Sequence, residues 1–253
     1  KSFASFFPYK VDIITAISPV HLEKFGSIER IARQKRLLIS RLDKDDYAVL
    51  NHDDELVSLM GEKTKAKIFT YGFQEGSDIS ASEAKISYEE SGNIQGMSFK
   101  LSHQGNIAPI LLPEVLGSHQ LYAALAAVAV GLIYEMNLLE IAEALKNYHS
   151  PNGRMRLLGG IKDTMIIDDT YNSSPQAALA AVEALASLRS GRKKIAVLSD
   201  MLELGDFADQ AHLDLGRAVA KNHLDTLITV GPLAQKIAAG AEEAGLSREQ
   251  IFS

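Results

Sequence analysis

The chain contains no cysteine, which excludes disulfides and thiolate metal sites and permits a reducing cytoplasm. It also lacks any apolar run near the roughly 20 residues of a membrane-spanning helix. The longest, Leu121 to Tyr134, is alanine-rich and suits a buried helix. The opening residues, KSFASFFPYKVDIITAI, do not show the charged, apolar and small-residue succession of a signal peptide. A net charge of −6 argues against a nucleic-acid-binding surface. Internal repeats and low-complexity tracts are missing as well. What is there, 253 residues with 46% hydrophobic and 23% charged, has the proportions of a globular protein of one large or two ordinary domains.

Strand-like and helix-like segments alternate along it. VDIITAI reads as a buried strand, SPVHLEKFGS as a loop, and Ser27 as the N-cap of a helix from Ile28 to Leu42. YAVLN is a strand, DDELVSLMG a short helix closed by Gly61 at C′, and AKIFTYG a further strand. From Ser77 to Pro113 the pattern is β-rich, with AKISYEE, IQGMSFKLSHQG and NIAPILLP parted by glycine and asparagine turns. Helices over His119–Met136 and Leu138–Tyr148 follow, and then HSPNGR, a linker by composition. Beyond it, TMIIDD, KIAVLSD, TLITVG and QIFS are strands. They alternate with helices capped at Ser174–Pro175, over Asp209–Asn222 and over Pro232–Ala244. Such alternation implies an α/β fold of parallel βαβ units in two domains, 1–149 and 150–253.

One stretch, HLEKFGSIERIARQK, poses a chemical question. On the helix from Ile28, the apolar stripe runs through Ile28, Ile31, Ala32, Leu38, Ile39 and Leu42, and Lys35 falls in its middle. A buried ammonium is costly unless paired, and burial favours the neutral amine. The alternative is a lysine that snorkels to the surface along its own stem. Three polar clusters follow strands: SPVHLE, DDTYNSS and SDMLELGD. Ligands in open α/β sheets bind beyond the carboxyl ends of strands, so three acid-rich clusters spread over two domains suggest a cleft between them.

Together, ISPVHLEKFGSIERIARQK, PNGRMRLL, IIDDTYNSSPQA and VLSDMLELG resemble the Mur ligases, in order and over most of the chain. The resemblance is greatest to the branch that adds a D-alanyl-D-alanine dipeptide. It implies a central ATP-binding domain followed by a Rossmann-like C-terminal domain, closing on each other around ATP. It implies ATP-dependent amide bond formation with UDP-N-acetylmuramoyl-tripeptide and D-alanyl-D-alanine, through an acyl phosphate, in a cytoplasmic monomer. By the same resemblance, His21 binds Mg²⁺ and Lys35 is carbamylated, its carbamate oxygens suiting a hard cation. Arg154 approaches the ATP phosphates and Asp169 the ribose hydroxyls, and Tyr171 and Asn172 touch phosphate or the incoming amino acid. Gln120 reads the adenine edge, and Asp200 and Glu203 receive the incoming ammonium. The competing reading of His21 is a strand-end histidine, and that of Asp200 and Glu203 an ordinary solvated loop. Asp168 reads as a strand-end carboxylate holding a neighbouring turn, and His212 as structural.

Departures from the family pattern accompany the matches. GSHQLYA stands where the family has roughly G-x-H-N-x-x-N; Gln120 can still hydrogen-bond a base, but Ala123 cannot. KRLL replaces the commoner K-G-E after Lys35. No G-x-x-G-K-[ST] phosphate loop occurs, so the chain is expected to be an internal piece of a longer enzyme, inactive alone. The other readings are a Mur ligase for a different amino acid, a folylpolyglutamate-synthase-like ligase, and a non-catalytic nucleotide-binding paralogue.

Overall fold

The computed structural model describes residues 9–18, 25–189 and 191–253. They divide into two compact units, one of residues 9–18 and 25–149, the other from residue 150 onward.

The first unit is built on a six-stranded sheet in the order β1-β2-β3-β4-β5-β6. Strands β1 (Val11–Ile14), β2 (Tyr47–Asn51) and β3 (Lys67–Gly72) are parallel, with Val11 opposite Tyr47 and Val49 opposite Phe69. Strand β4 (Ile79–Tyr88) joins β3 through a short parallel pairing, and β5 (Ile94–His103) and β6 (Asn106–Pro113) complete an antiparallel meander. Helix α1 (Ile28–Ile39) starts where Ser27 accepts the amide of Arg30, and α2 (Glu55–Ser58) where Asp54 accepts that of Val57. The long α3 (Ser118–Ile133) lies against β2, β3 and β4, and α4 (Leu138–Leu145) begins in a capping box of Asn137 and Glu140. Leu121, Leu125 and Val128 of α3 are fully buried, each contributing roughly 1.5–3 kcal/mol of apolar burial.

Two sequence expectations in this unit need correcting. Helix α1 ends at Ile39 because Ser40 takes the C-cap and Arg41 and Leu42 bond back as turns; Leu42 stays buried from there. Gly61 does not close a helix at C′. It lies inside a 3₁₀ turn, Leu59–Lys63, where a side chain would press on Leu50 and Ile68.

The second unit opens with a hairpin of β7 (Arg156–Gly159) and β8 (Met165–Asp168), Arg156 opposite Asp168. TMIIDD is thus a strand, but its described partner is antiparallel β7 rather than a parallel neighbour. A tight turn explains this, since Gly160 donates to the Thr164 carbonyl and Thr164 to that of Ile161. A three-stranded parallel sheet follows, in the order β11 (Ile251–Phe252), β10 (Thr226–Val230), β9 (Ile195–Ser199). Helices α5 (Pro175–Ser187), α6 (Ala208–Lys221) and α7 (Ala234–Glu243) join its core through Ala178, Val182, Leu215, Val219, Ala234 and Ile237. The opposite face carries exposed apolar side chains. Ile195, Val197, Val230 and Phe252 are each about half exposed or more.

Candidate functional site

In the first unit the site begins at the carboxyl end of β1. His21 lies outside the described residues. Lys35 is described, and the expectation of a buried amine is corrected: its side chain is exposed and Nζ donates to the Ala16 carbonyl at 3.2 Å. The physical reason is where the helix packs. Ile31 and Ile39 bury on either side of it along α1, while the Lys35 amine reaches Ala16, two residues past the end of β1.

The residues around that carbonyl are held by a turn that sequence reasoning passed over, Asn51-His52-Asp53-Asp54 at the end of β2. Asn51 is buried and donates Nδ2 to the Thr15 carbonyl at 2.9 Å. Asp54 accepts the amide of Ile17 at 2.7 Å on one oxygen and that of Val57 at 3.0 Å on the other. Asp53 accepts the amides of Phe73 at 2.6 Å and Gln74 at 3.0 Å and the hydroxyl of Tyr122 at 2.9 Å. One four-residue turn therefore ties together the ends of β1 and β3 and the first turns of α3. The signal was available: the turn is a fourth acid-rich cluster after a strand, but its aspartates also read as the start of a helix. Beside it the buried Tyr71 hydroxyl has no hydrogen-bond partner among the described residues, and burial, then Tyr122 and the two aspartates, push the phenol upward.

Gln120 is buried in α3, and its Oε1 accepts the Tyr148 hydroxyl at 3.1 Å. Ala123, one turn along, is exposed.

In the second unit Arg154, Asp169, Tyr171 and Asn172 come together, because the Ser150–Met155 loop is laced to the segment after β8. Asp168 accepts the amide of Gly153 at 3.1 Å, Asp169 that of Met155 at 3.1 Å, and Tyr171 donates its own amide to the Gly153 carbonyl at 3.2 Å. Gly153 has φ +70°, and any β-carbon there would run into Tyr171; glycine suits that position on both counts. The Arg154 guanidinium lies 4.3 Å from the centre of the Tyr171 ring, a cation–π stack. Asp168 holds the neighbouring turn as its strand-end position suggested, and its carboxyl sits below the usual range. The Thr170 hydroxyl lowers it most, burial opposes, and the Gly153 amide adds to the lowering. Asn172 is exposed and accepts the amide of Ser173.

Asp200 and Glu203 follow β9. Asp200 is half-buried and accepts the amide of Ala234 at 2.7 Å, so one of its oxygens serves the start of α7. Glu203 is exposed, at φ +62°. The fully buried His212 pins the same loop, accepting the Met201 amide on Nε2 at 2.9 Å and facing the Ala208 carbonyl through Nδ1 at 2.6 Å. A backbone N–H must donate, so Nε2 is the acceptor and Nδ1 carries the proton. That is the structural role its sequence position suggested.

No group of three or more His, Cys, Asp or Glu side chains that could hold a metal ion occurs among the described residues. No described helix is long and apolar enough to cross a membrane.

An α/β chain of two units, each carrying polar loops at the carboxyl ends of its strands, is the class of protein this architecture defines. Residues 1–131 match the Mur ligase middle domain and residues 153–253 the Mur ligase glutamate ligase domain, and the chain belongs to the Mur ligase family. A UDP-N-acetylmuramoyl-tripeptide–D-alanyl-D-alanine ligase of Bacillus subtilis is 30% identical over 229 residues, covering 90% of this chain and 48% of the relative. A crystal structure of MurF from Acinetobacter baumannii superposes with a TM-score of 0.80 at 29% identity, covering 96% of this chain and 50% of the other. MurF from Thermotoga maritima in complex with ADP gives 0.78 at 25% identity, covering 98% and 53%. The chain thus spans about half the length of the relatives it matches.

Proposed function

We propose that this chain is part of an ATP-dependent ligase that joins D-alanyl-D-alanine to UDP-N-acetylmuramoyl-tripeptide in peptidoglycan precursor synthesis, as a cytoplasmic monomer. The observation that carries the reading is the laced pair of loops in the second unit, which presents Arg154 on a fixed platform. In the proposed reaction a carboxylate oxygen of the tripeptide attacks the γ-phosphorus of ATP and ADP leaves. The free amine of the dipeptide then attacks the acyl carbon, phosphate leaves with the C–O bond electrons, and the nitrogen gives up a proton. Arg154 neutralises charge on the transferring phosphoryl group, Asp169 and Asn172 contact the nucleotide, and Tyr171 supports Arg154. Gln120 faces the base, and Asp200 and Glu203 receive the dipeptide's ammonium before it loses its proton. Because the acyl phosphate is already activated, positioning and charge neutralisation are the protein's main contributions.

Lys35 belongs to the same reading as a carbamylated lysine. After the ammonium gives up one proton, its nitrogen bonds to the carbon of CO₂, one C=O π pair moves to oxygen, and a second proton leaves the nitrogen. The product is R–NH–COO⁻, one negative charge shared by two oxygens, with one N–H remaining. When bound, Mg²⁺ would supply charge neutralisation, with His21 and the Lys35 carbamate as its proposed ligands. The described residues do not by themselves form a metal cage.

The deciding assay is phosphate release by the full-length gene product. Release is expected only when ATP, the UDP-tripeptide and D-alanyl-D-alanine are all present. Release driven by glutamate and a folate, or by a single amino acid, would overturn the substrate assignment. Nucleotide binding with no turnover under any combination would favour a non-catalytic paralogue.

A further inference from the structure

The peptide unit between Ala16 and Ile17 is gripped at both ends. Its carbonyl receives Lys35 Nζ at 3.2 Å, and its N–H is given to Asp54 Oδ2 at 2.7 Å. One residue back, the Thr15 carbonyl is held by Asn51 Nδ2 at 2.9 Å. Asn51 is itself fixed, because its Oδ1 accepts the Asp53 amide at 3.0 Å and its backbone is in register with Tyr71 of β3. Asp54 is fixed by capping α2 through Val57. Carboxylate, peptide and amine therefore form one hydrogen-bonded line. A carboxylate drawing on the N–H polarises the peptide and strengthens its carbonyl as an acceptor.

We infer that Asn51 and Asp54 are positioning residues that aim the Lys35 side chain through the Ala16–Ile17 peptide. The inference rests on the reading of Lys35 as a carbamylated lysine. A carbamate nitrogen is planar and keeps one hydrogen. If that hydrogen stays on the Ala16 carbonyl, the plane of the carbamate is set and so is the direction of its two oxygens. Neither Asn51 nor Asp54 has to touch a ligand to do this. Both act on the Thr15–Ile17 stretch that leads out of β1, the stretch on which the Lys35 amine rests.

The test is to trap the Lys35 carbamate by O-alkylation in the full-length gene product and quantify it by peptide mass spectrometry at ambient bicarbonate. The variants are D54N, which keeps one acceptor but sets an N–H₂ against Ile17, and N51D, which loses the donor to Thr15. Each is expected to lower carbamate occupancy about three- to tenfold, the effect of one hydrogen bond of ordinary net strength. Raised bicarbonate should restore it, because occupancy follows the CO₂ supply. I141A, which removes core volume from α4 in the same unit, controls for lost stability and should leave occupancy unchanged at a matched fraction folded. Wild-type occupancy in both D54N and N51D, or an equal loss in I141A, would overturn the inference. A wild-type protein with no carbamate at all would instead remove the reading of Lys35 on which it stands.

Discussion

The guanidinium of Arg154 stacks on the ring of Tyr171, 4.3 Å from its centre, and the backbones of the two loops are bonded through Gly153. The ring is largely exposed, which keeps the interaction modest, since exposed cation–π pairs contribute about 0.5–1 kcal/mol. On the proposed role of Arg154 at the ATP phosphates, Tyr171→Leu in the full-length gene product is expected to raise KM for ATP about two- to fivefold with little change in kcat, and Tyr171→Phe, which keeps the ring, to leave it near wild type. In an Arg154→Ala background the Tyr171→Leu effect should vanish. Equal effects in both backgrounds would mean that Tyr171 acts without Arg154.

Asp200 should matter to stability whether or not it meets substrate. Replacing it with alanine leaves the Ala234 amide without its acceptor, a loss comparable to that of a helix cap, about 0.5–2 kcal/mol. A thermal melt should show it as a drop of several degrees. Gly231, at φ +118°, lies so close that a β-carbon would overlap the Asp200 carboxylate. Gly231→Ala is expected to cost at least as much, and an unchanged melting temperature for it would contradict the geometry.

Tyr71 offers a test of opposite sign. Its hydroxyl is fully buried with no partner among the described residues, and a buried unsatisfied polar group is a cost. Tyr71→Phe should be neutral or stabilising by up to about 1 kcal/mol in chemical denaturation. A clear loss of stability would show that the hydroxyl has a partner after all.

The pH dependence of stability follows from Asp168. Its carboxyl is held below the ordinary value, chiefly by the Thr170 hydroxyl, so the folded state releases that proton more readily than the unfolded chain. The stabilisation is fully present above the unfolded carboxylate pKa of about 3.9 and is lost as pH falls through the lower, folded value. Asp168→Asn should flatten the acid limb of the stability curve below about pH 4 and leave its slope near neutrality unchanged. Asp12 works in the opposite sense. It is half-buried, one oxygen has no partner among the described residues, and desolvation raises it. Its contribution therefore falls as pH rises from the unfolded value through the folded one.

Much of this was legible in the sequence because it depends on local chemistry. Ser27 and Ser174 declare caps, and YAVLN, KIAVLSD and TLITVG declare strands, within a few residues. The Arg154, Asp169 and Tyr171 cluster was legible through motif resemblance. What sequence did not carry was which segments meet. The apolar run of TMIIDD does not tell that it pairs with RLLG rather than with a parallel neighbour, since both are short and the tight turn between them decides. The Lys35 stripe misled because helical phase gives a direction from the axis but not what lies there; for Lys35 it is the Ala16 carbonyl. The Asn51–Asp54 turn was overlooked because the acceptor bonds of Asp53 reach residues 20 to 69 positions away, to Phe73 and Tyr122.

The exposed apolar side chains of the β9–β10–β11 sheet bear on how the polypeptide behaves in a tube. Parallel strands ordinarily have both faces covered, and here Ile195, Val197, Val230 and Phe252 meet solvent on one of them. An exposed apolar plane, largely β-branched, favours self-association. Light scattering of this polypeptide should therefore rise with concentration, and a dye that brightens on greasy surfaces should light up on it before any unfolding. Ile195→Thr with Val197→Thr keeps the β-branched shape that strands favour and should lower both signals together, giving a better-behaved sample without disturbing the loops at the strand ends.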